Sequence, residues 1–288
     1  MLLTFMAQNL SHGGLRNDTG EAEDRVPLLL ERFKSVAPSI DILLLSEAED
    51  WDKAGHRYLG LAMQELDMDS VPLSKPSTGF PVALLYRKET VGRWQNWDTK
   101  FSDETTHGFG VAAFDIGLAT PLSVISAHIN PFSKEKALSE IGLIASRGYR
   151  NGSFAIIGGD INFPPNDGVE PDYSSSSMRP YNAMSRTEFN DPGNDIAPKA
   201  DRRMAQTLER AGYVDVAHYL HKKDSDDSLL QKTAGEYRID QFWVSEPLAS
   251  AIIKYWVVDS PATASDHKGI VFQLDTDLID NTNPWSYR

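Results

Sequence analysis

Ala155-Ile156-Ile157-Gly158-Gly159-Asp160-Ile161-Asn162 joins an apolar run to two glycines and then to two short oxygen-bearing side chains two positions apart. The run has the character of a strand buried between layers, the glycines let the backbone turn tightly, and Asp160 and Asn162 project to one side. Taken alone, the same residues before Phe163-Pro164-Pro165 are also good turn chemistry. Outward from this segment the design repeats. Asn9 follows the apolar residues 2–8, Glu47 follows the run at 41–46, and His128 and Asn130 close the strand expected at 122–128. Rigid scaffolds present functional side chains where strands run out into loops. Two more polar clusters, Arg238-Ile239-Asp240 within an expected strand and Ser265-Asp266-His267 just before one, complete the set.

The rest of the chain supplies the frame. Val26, Leu29, Leu30 and Phe33 have helical spacing within residues 22–36, with Pro27 in the first turn and Pro38 closing the segment. Further helices are expected at 54–66 and at 133–147, the latter capped by Ser133. Strands are expected at 82–86, 111–116, 154–157, 237–244, 252–258 and 268–274. Many apolar strands without strict alternation with helices imply sheets packed on each other with helices outside, and a hairpin at 110–128 breaks any purely parallel scheme. Residues 163–200 are rich in Pro, Asn, Asp, Gly and Ser, including Ser174 to Ser177, and form a long loop insertion inside one domain spanning 1–275. The tail at 276–288 is expected to be ordered only where Trp285 and Tyr287 dock.

Composition narrows the partners. With 28 Lys and Arg against 41 Asp and Glu the formal net charge is −13, so net charge offers no long-range attraction to a phosphate backbone or an anionic membrane. Hydrophobic residues at 41% and charged residues at 24% exclude disorder as the main state. The chain has no Cys, which removes disulfides, thiolate metal ligands and cysteine nucleophiles together. Residues 1–7 are apolar but short and lack a basic flank, so they read as a first strand and not as a signal peptide. No apolar run approaches the roughly 20 residues of a membrane span, and a cytoplasmic location is expected. No partner protein is inferable.

Taken in order, Ala7-Gln8-Asn9, Leu44-Leu45-Ser46-Glu47, Ser126-Ala127-His128, Gly158 to Asn162, Arg238 to Asp240 and Ser265 to His267 resemble the motif set of the endonuclease/exonuclease/phosphatase (deoxyribonuclease-I-like) superfamily. That superfamily includes pancreatic-type deoxyribonucleases, abasic-site endonucleases, inositol polyphosphate phosphatases and neutral sphingomyelinases. The resemblance covers nearly the whole chain. It implies a four-layer α/β/β/α sandwich, two packed mixed β-sheets flanked by helices, and Mg²⁺-dependent phosphoester hydrolysis, with Mn²⁺ as a substitute. Glu47 would hold the metal, with Asp266 and Asn9 assisting. Asp160 would activate the attacking water, His267 oriented by Asp240 would stabilise the phosphate or shuttle a proton, and His128 would contact the phosphate or protonate the leaving oxygen. Asn9, Asn130 and Asn162 would complete the substrate contacts. Hard carboxylate oxygens suit Mg²⁺ independently of any resemblance.

Read singly, each of these residues has a plainer role: Glu47 a solvated strand end, His128 and His267 core histidines, Asp240 a structural partner of Arg238. His12, His56, His107, His218 and His221 lack polar company and are read as structural or surface, although His12 follows Asn9 in a Gly-rich loop. Trp51, Trp94 and Trp97 are read as packing, and Lys199, Arg202 and Arg203 as a solvated helix start with phosphate contact as the alternative. Two departures bear on substrate. Ser46 stands where many members of the superfamily have Gln, and the His-containing segment at 126–131 disfavours abasic-site repair. The expected activity is phosphodiester hydrolysis with nucleic acid as first substrate. A small phosphorylated metabolite or lipid headgroup is the alternative, and a non-catalytic binding module on the same fold ranks last.

Overall fold

A computed structural model describes residues 1–17, 19–74, 76–175, 178–188, 198–259, 263–282 and 284–285. In chain order the elements are β1 (Leu2–Asn9), α1 (Val26–Ser35), β2 (Ile42–Ser46), α2 (Lys53–Leu66), β3 (Asp69–Ser70), β4 (Ala83–Tyr86), α3 (Lys88–Val91), β5 (Trp94–Asp98), β6 (Val111–Phe114), β7 (Leu122–His128), α4 (Lys134–Gly148), β8 (Ala155–Asp160), α5 (Pro180–Arg186), α6 (Arg203–Arg210), β9 (Tyr213–Asp215), α7 (Val216–Asp224), β10 (Asp240–Ser245), β11 (Ile252–Val258) and β12 (Gly269–Asp275). They build two six-stranded sheets, ordered β11-β12-β1-β2-β4-β3 and β5-β6-β7-β8-β10-β9. Each sheet holds one parallel pair, β1 with β2 and β7 with β8, among antiparallel neighbours, so both sheets are mixed.

Alternation along the strands explains the layers. Successive side chains point to opposite faces, so Leu3 and Phe5 of β1, Leu44 of β2, Val124 of β7, Ile156 of β8, Phe242 of β10 and Phe272 of β12 fill one core between the sheets. Their neighbours Met6, Leu43, Leu45 and Val271 face a second core under α1 and α2. On the other sheet Ile125, Ile157 and Trp243 face a third core under α4 and α6. Phe5 stacks on Phe272 at 4.8 Å, and Phe242 meets the same ring edge-on at 4.6 Å. The molecule is the four-layer α/β/β/α sandwich expected.

Several local expectations change. Gly158 and Gly159 lie inside β8 and make no turn. A Cβ on Gly158 would come within 2.3 Å of Phe242 and 2.8 Å of Leu44, and one on Gly159 within 2.1 Å of the Ala127 carbonyl oxygen. They are needed for close approach of neighbouring chain. The strand expected at 237–244 begins pairing only at Asp240, leaving Arg238 outside it. Before α2 becomes regular, Ala54, Gly55 and His56 take left-handed φ of 48°, 69° and 62°. The sequence reading had no β3, α3, β5, α5, β9 or α7. Strand β5, with its bulge between Trp94 and Asn96, lacks an alternating pattern, and its two tryptophans pack against the central core. Ser133 caps α4 as expected, accepting from the Lys136 backbone N–H at 3.3 Å. The insertion at 163–200 carries α5. Ser176, Ser177 and residues 189–197 lie outside the described residues, as does Tyr287, whereas Trp285 rests 5.1 Å from the Tyr149 ring. No helix among the described residues is long and apolar enough to cross a membrane.

Strand direction then gathers the polar ends. The C-terminal ends of β1, β2, β7 and β8 meet the N-terminal ends of the antiparallel β10 and β12 at one edge of the sandwich. Across the second sheet His128, Asp160 and Asp240 sit in one cross-strand row. Ser46 Oγ donates to the Ala127 carbonyl at 3.2 Å and Ser126 Oγ to the Leu45 carbonyl at 3.3 Å, tying the sheets together at this edge. The Ser at position 46 is thus a bridge between sheets.

Candidate active site

Asp160 is the hub. Its Oδ2 accepts from Asn9 Nδ2 at 3.0 Å, and the same amide nitrogen donates to Glu47 Oε1 at 3.1 Å. Asn9 is held in turn by the Ser11 backbone N–H, which donates to its Oδ1 at 2.9 Å. One buried amide therefore sets the spacing of two carboxylates from two different strand ends. Glu47 has left-handed backbone (φ 58°), and its Oε2 accepts the His12 backbone N–H at 2.9 Å. Burial pushes the Asp160 carboxyl above its usual range, with the charges of Asp240 and Glu47 adding and His267 opposing.

Two histidines face that hub. His267 Nδ1 is hydrogen-bonded to Asp240 Oδ2 at 2.8 Å, which aims Nε2 at Asp160 Oδ2, 3.9 Å away. Burial alone lowers the basicity of this ring, but the charge and hydrogen bond of Asp240, with Asp160 and Asp266 adding, hold it well above the usual histidine value. His128 Nε2 lies 3.7 Å from Asp160 Oδ2 and 3.9 Å from Glu47 Oε1. These separations exceed a hydrogen bond and leave room for one intervening atom. His107 stacks on His128 with ring centroids 3.8 Å apart and planes 9° from parallel. Burial, then the His267 charge, pushes His128 down to about 3, while burial, then His128, pushes His107 down to about 2. Both rings are neutral at ordinary pH, which lets them stack without repulsion.

The hub opens into a cavity of 390 Å³ whose wall includes His12, Phe80, His107, Phe132, Arg186 and Tyr237 besides the residues above. Glu47, His128, Asp160, Asn162, Asp266 and His267 all line it, with Asp266 exposed at the rim, while Asn9 and Asp240 stand directly behind. Asn130 is withdrawn from the substrate contacts. Its Nδ2 donates to Thr106 Oγ1 at 2.7 Å and its Oδ1 accepts from the Phe132 and Ser133 backbone N–H groups, so the side chain is spent on the loop. Asn162, also left-handed (φ 62°), donates through Nδ2 to the Ile129 carbonyl at 2.9 Å, which leaves its second N–H for the cavity. Asp240 serves His267 and not Arg238, whose guanidinium pairs with Asp167 and Asp215. Arg202 and Arg203 are likewise paired, with Glu170 at 2.7 Å and Asp201 at 2.6 Å, and neither lines the cavity.

Of the wall residues that escaped the sequence reading, His107 and Arg186 are the two that touch His128 or Asn162. His107 sits in a Thr-Thr-His-Gly segment with no apolar run before it, and Arg186 lies deep in the composition-biased insertion. Arg186 is buried, donates through Nε to the Asn162 carbonyl at 2.6 Å and through Nη2 to Asn162 Oδ1 at 2.7 Å, and covers the Tyr237 ring at 4.8 Å. Because an arginine can only donate, it fixes which end of the Asn162 amide faces it.

The donor set suits a hard divalent cation. Glu47, Asp160 and the rim carboxylate Asp266 supply oxygens, and no thiolate competes. Asp160, Asp240 and His267 each bring one donor atom within 4.8 Å of the others, and Asp240 Oδ1 is buried without a hydrogen-bond partner. Asp240 Oδ2 is taken by His267 and the residue stands behind the cavity, so the carboxylates that face it are Glu47, Asp160 and Asp266.

No family model and no curated protein matches the sequence. Solved structures do match in fold. The 3′ phosphatase NExo from Neisseria, bound to a product DNA hairpin, aligns over 95% of this chain and 99% of its own at 18% identity and a TM-score of 0.63. An AP endonuclease from Archaeoglobus fulgidus aligns over 95% and 100% at 18% identity and 0.62. The AP endonuclease LMAP from Leishmania major aligns over 95% and 87% at 13% identity and 0.65. All three belong to the endonuclease/exonuclease/phosphatase superfamily, so the fold expected from the motifs is the fold found.

Proposed function

We infer that a chain with this fold and this arrangement of strand ends is a divalent-cation-dependent phosphoester hydrolase. The observation that carries the inference is Asp160, raised by burial and clamped beside Glu47, with the Nε2 atoms of His128 and His267 3.7 and 3.9 Å away. A carboxylate so placed is a competent base for a water attacking phosphorus. Glu47, with Asp266 and Asn9 assisting, would hold Mg²⁺, or Mn²⁺ in its place, leaving Asp160 as the base. The cation would neutralise charge on the phosphoryl oxygens. His267, kept protonated by Asp240, is the better proton donor. His128, neutral and buried, is suited to donate a hydrogen bond to a phosphoryl oxygen, as is the remaining N–H of Asn162. The acid role considered for His128 thus passes to His267. A single domain over 1–275 and a cytoplasmic setting belong to the same proposal.

Phosphodiester hydrolysis is the reaction class, and nucleic acid, named for the solved neighbours, is the first substrate to test. The test is cleavage of plasmid DNA, single-stranded DNA, RNA, bis-p-nitrophenyl phosphate and several monoesters with Mg²⁺, Mn²⁺ or excess chelator, with Asp160→Asn alongside. Cation-dependent hydrolysis lost in the variant is the expected result. Silence on every ester would overturn the proposal and favour the binding module. The acidic cavity lining favours a second reading, a small ester.

A further inference from the structure

The insertion does not hang free over the site; it is fastened on both sides. Lys134 Nζ at the start of α4 donates to the Thr187 carbonyl at 2.5 Å. Across the cavity, Ser175 Oγ donates to Glu236 Oε1 at 2.8 Å and Tyr237 Oη to Met178 Sδ at 2.9 Å. Arg186 pins the end of α5 to Asn162 between these two anchors. Met178, Asn182 and Arg186 of the insertion thereby supply part of the wall of the 390 Å³ cavity, a size met in small-molecule sites.

Its walls differ in chemistry. Part of the lining is aromatic: Phe132, 70% exposed, and Phe80, whose ring meets His107 edge-on at 6.1 Å, with His107 stacked on His128 beside Asp160. Elsewhere in the lining, Arg186 is the sole Lys or Arg among the described residues, alongside Glu47, Asp160, Glu236 and Asp266. Of the basic residues around this edge, Arg16 pairs with Asp50 at 3.3 Å, Lys268 with Asp259 at 2.8 Å and Lys232 with Glu236, while Lys136, whose charge reaches His107, stands exposed outside the cavity. A duplex gains most of its affinity from rows of free cations on its phosphates. This cavity presents an aromatic lining instead.

We propose that the site takes a small phosphate ester carrying a planar or apolar group, its phosphoryl end among Asn162, Arg186 and the two histidines and its substituent along the Phe80–His107 wall, and that duplex nucleic acid is not its substrate. This rests on the phosphoester reading and narrows it. Binding to the full-length chain with Mg²⁺ is measured calorimetrically, in the Asp160→Asn variant to prevent turnover, with phenyl phosphate, methyl phosphate and a short DNA duplex as probes. Phenyl phosphate is expected to bind about tenfold more tightly than methyl phosphate, a margin typical of one ring-on-ring contact. Phe132→Ala, at an exposed position, and Phe80→Ala should each erase most of that margin while leaving methyl phosphate unchanged. Equal affinity for the two esters, or a duplex that outcompetes phenyl phosphate with an affinity falling steeply with salt, overturns the proposal. Turnover of bis-p-nitrophenyl phosphate by the unsubstituted chain separates the two readings. Turnover without the phenyl preference sinks this inference alone. The preference without turnover supports it and sinks the hydrolase reading alone.

Discussion

At the scale of single residues, the site is a problem of holding like charges close. Glu47 and Asp160 come from different sheets, and the Asn9 amide between them is what makes their proximity tolerable. Replacing Asn9 with Ala is expected to leave the fold but weaken Mg²⁺ binding about tenfold or more, as loss of a residue that orients metal ligands does. Calorimetric titration with Mg²⁺ checks this, and an unchanged affinity would remove Asn9 from the site. Asp160→Asn keeps the shape of the residue but loses the base, and turnover should drop about 10² to 10⁴-fold with little change in melting temperature. Glu47 and Asp160 were legible because each is a polar residue standing at the end of an apolar run, whereas Asp240 and His267 were picked out by the short motifs Arg238 to Asp240 and Ser265 to His267. Arg186 and His107 were not, because their importance lies in what they touch, Asn162 in one case and His128 in the other, and no local spacing encodes that.

At the scale of elements, two contacts decide whether the strand ends arrive in register. Gly159 lies with φ 137° under the Ala127 carbonyl, where a Cβ would come within 2.1 Å of backbone that cannot move away. Gly159→Ala should cost about 3 kcal/mol or more, in the range of strain combined with core overpacking, and a urea midpoint close to the parent's would refute this account of β8. Glu140, buried on α4, accepts from Thr106 N and Oγ1 at 2.8 and 2.6 Å and from Asn130 N at 2.9 Å. One helix carboxylate thereby fixes both the loop that presents His107 and the turn after β7. Glu140→Ala leaves these buried donors unpaired, and about 3 kcal/mol of stability should be lost. Denaturant unfolding measures it. The helix itself was readable from its cap and periodicity, whereas the inward aim of Glu140 was not. A glutamate on a helix is ordinarily solvated.

For the molecule as a whole, buried neutral histidines make acid a threat before the carboxylates titrate. His107 takes a proton near pH 6.5 when unfolded but only near 2 when folded. Below about pH 6.5 the unfolded chain therefore binds a proton that the folded chain refuses, and stability falls by up to about 1.4 kcal/mol per pH unit. His107→Phe should flatten that slope, measured by thermal unfolding across the acid range in the presence of chelator. A slope unchanged by the substitution would mean that the ring is not held neutral. The layered fold could be read from the chain alone, and so could the choice of Glu47 and Asp160 as candidates, because strand burial is written in apolar runs and a polar residue that ends such a run is conspicuous. That Asn130 belongs to the loop, that Gly158 and Gly159 serve packing, and that Arg186 and His107 line the cavity emerged only once the sheets were packed. Each of those assignments depends on a partner far away in the chain, and hydrogen bonds and ring contacts are chosen by proximity in space after the sheets have packed.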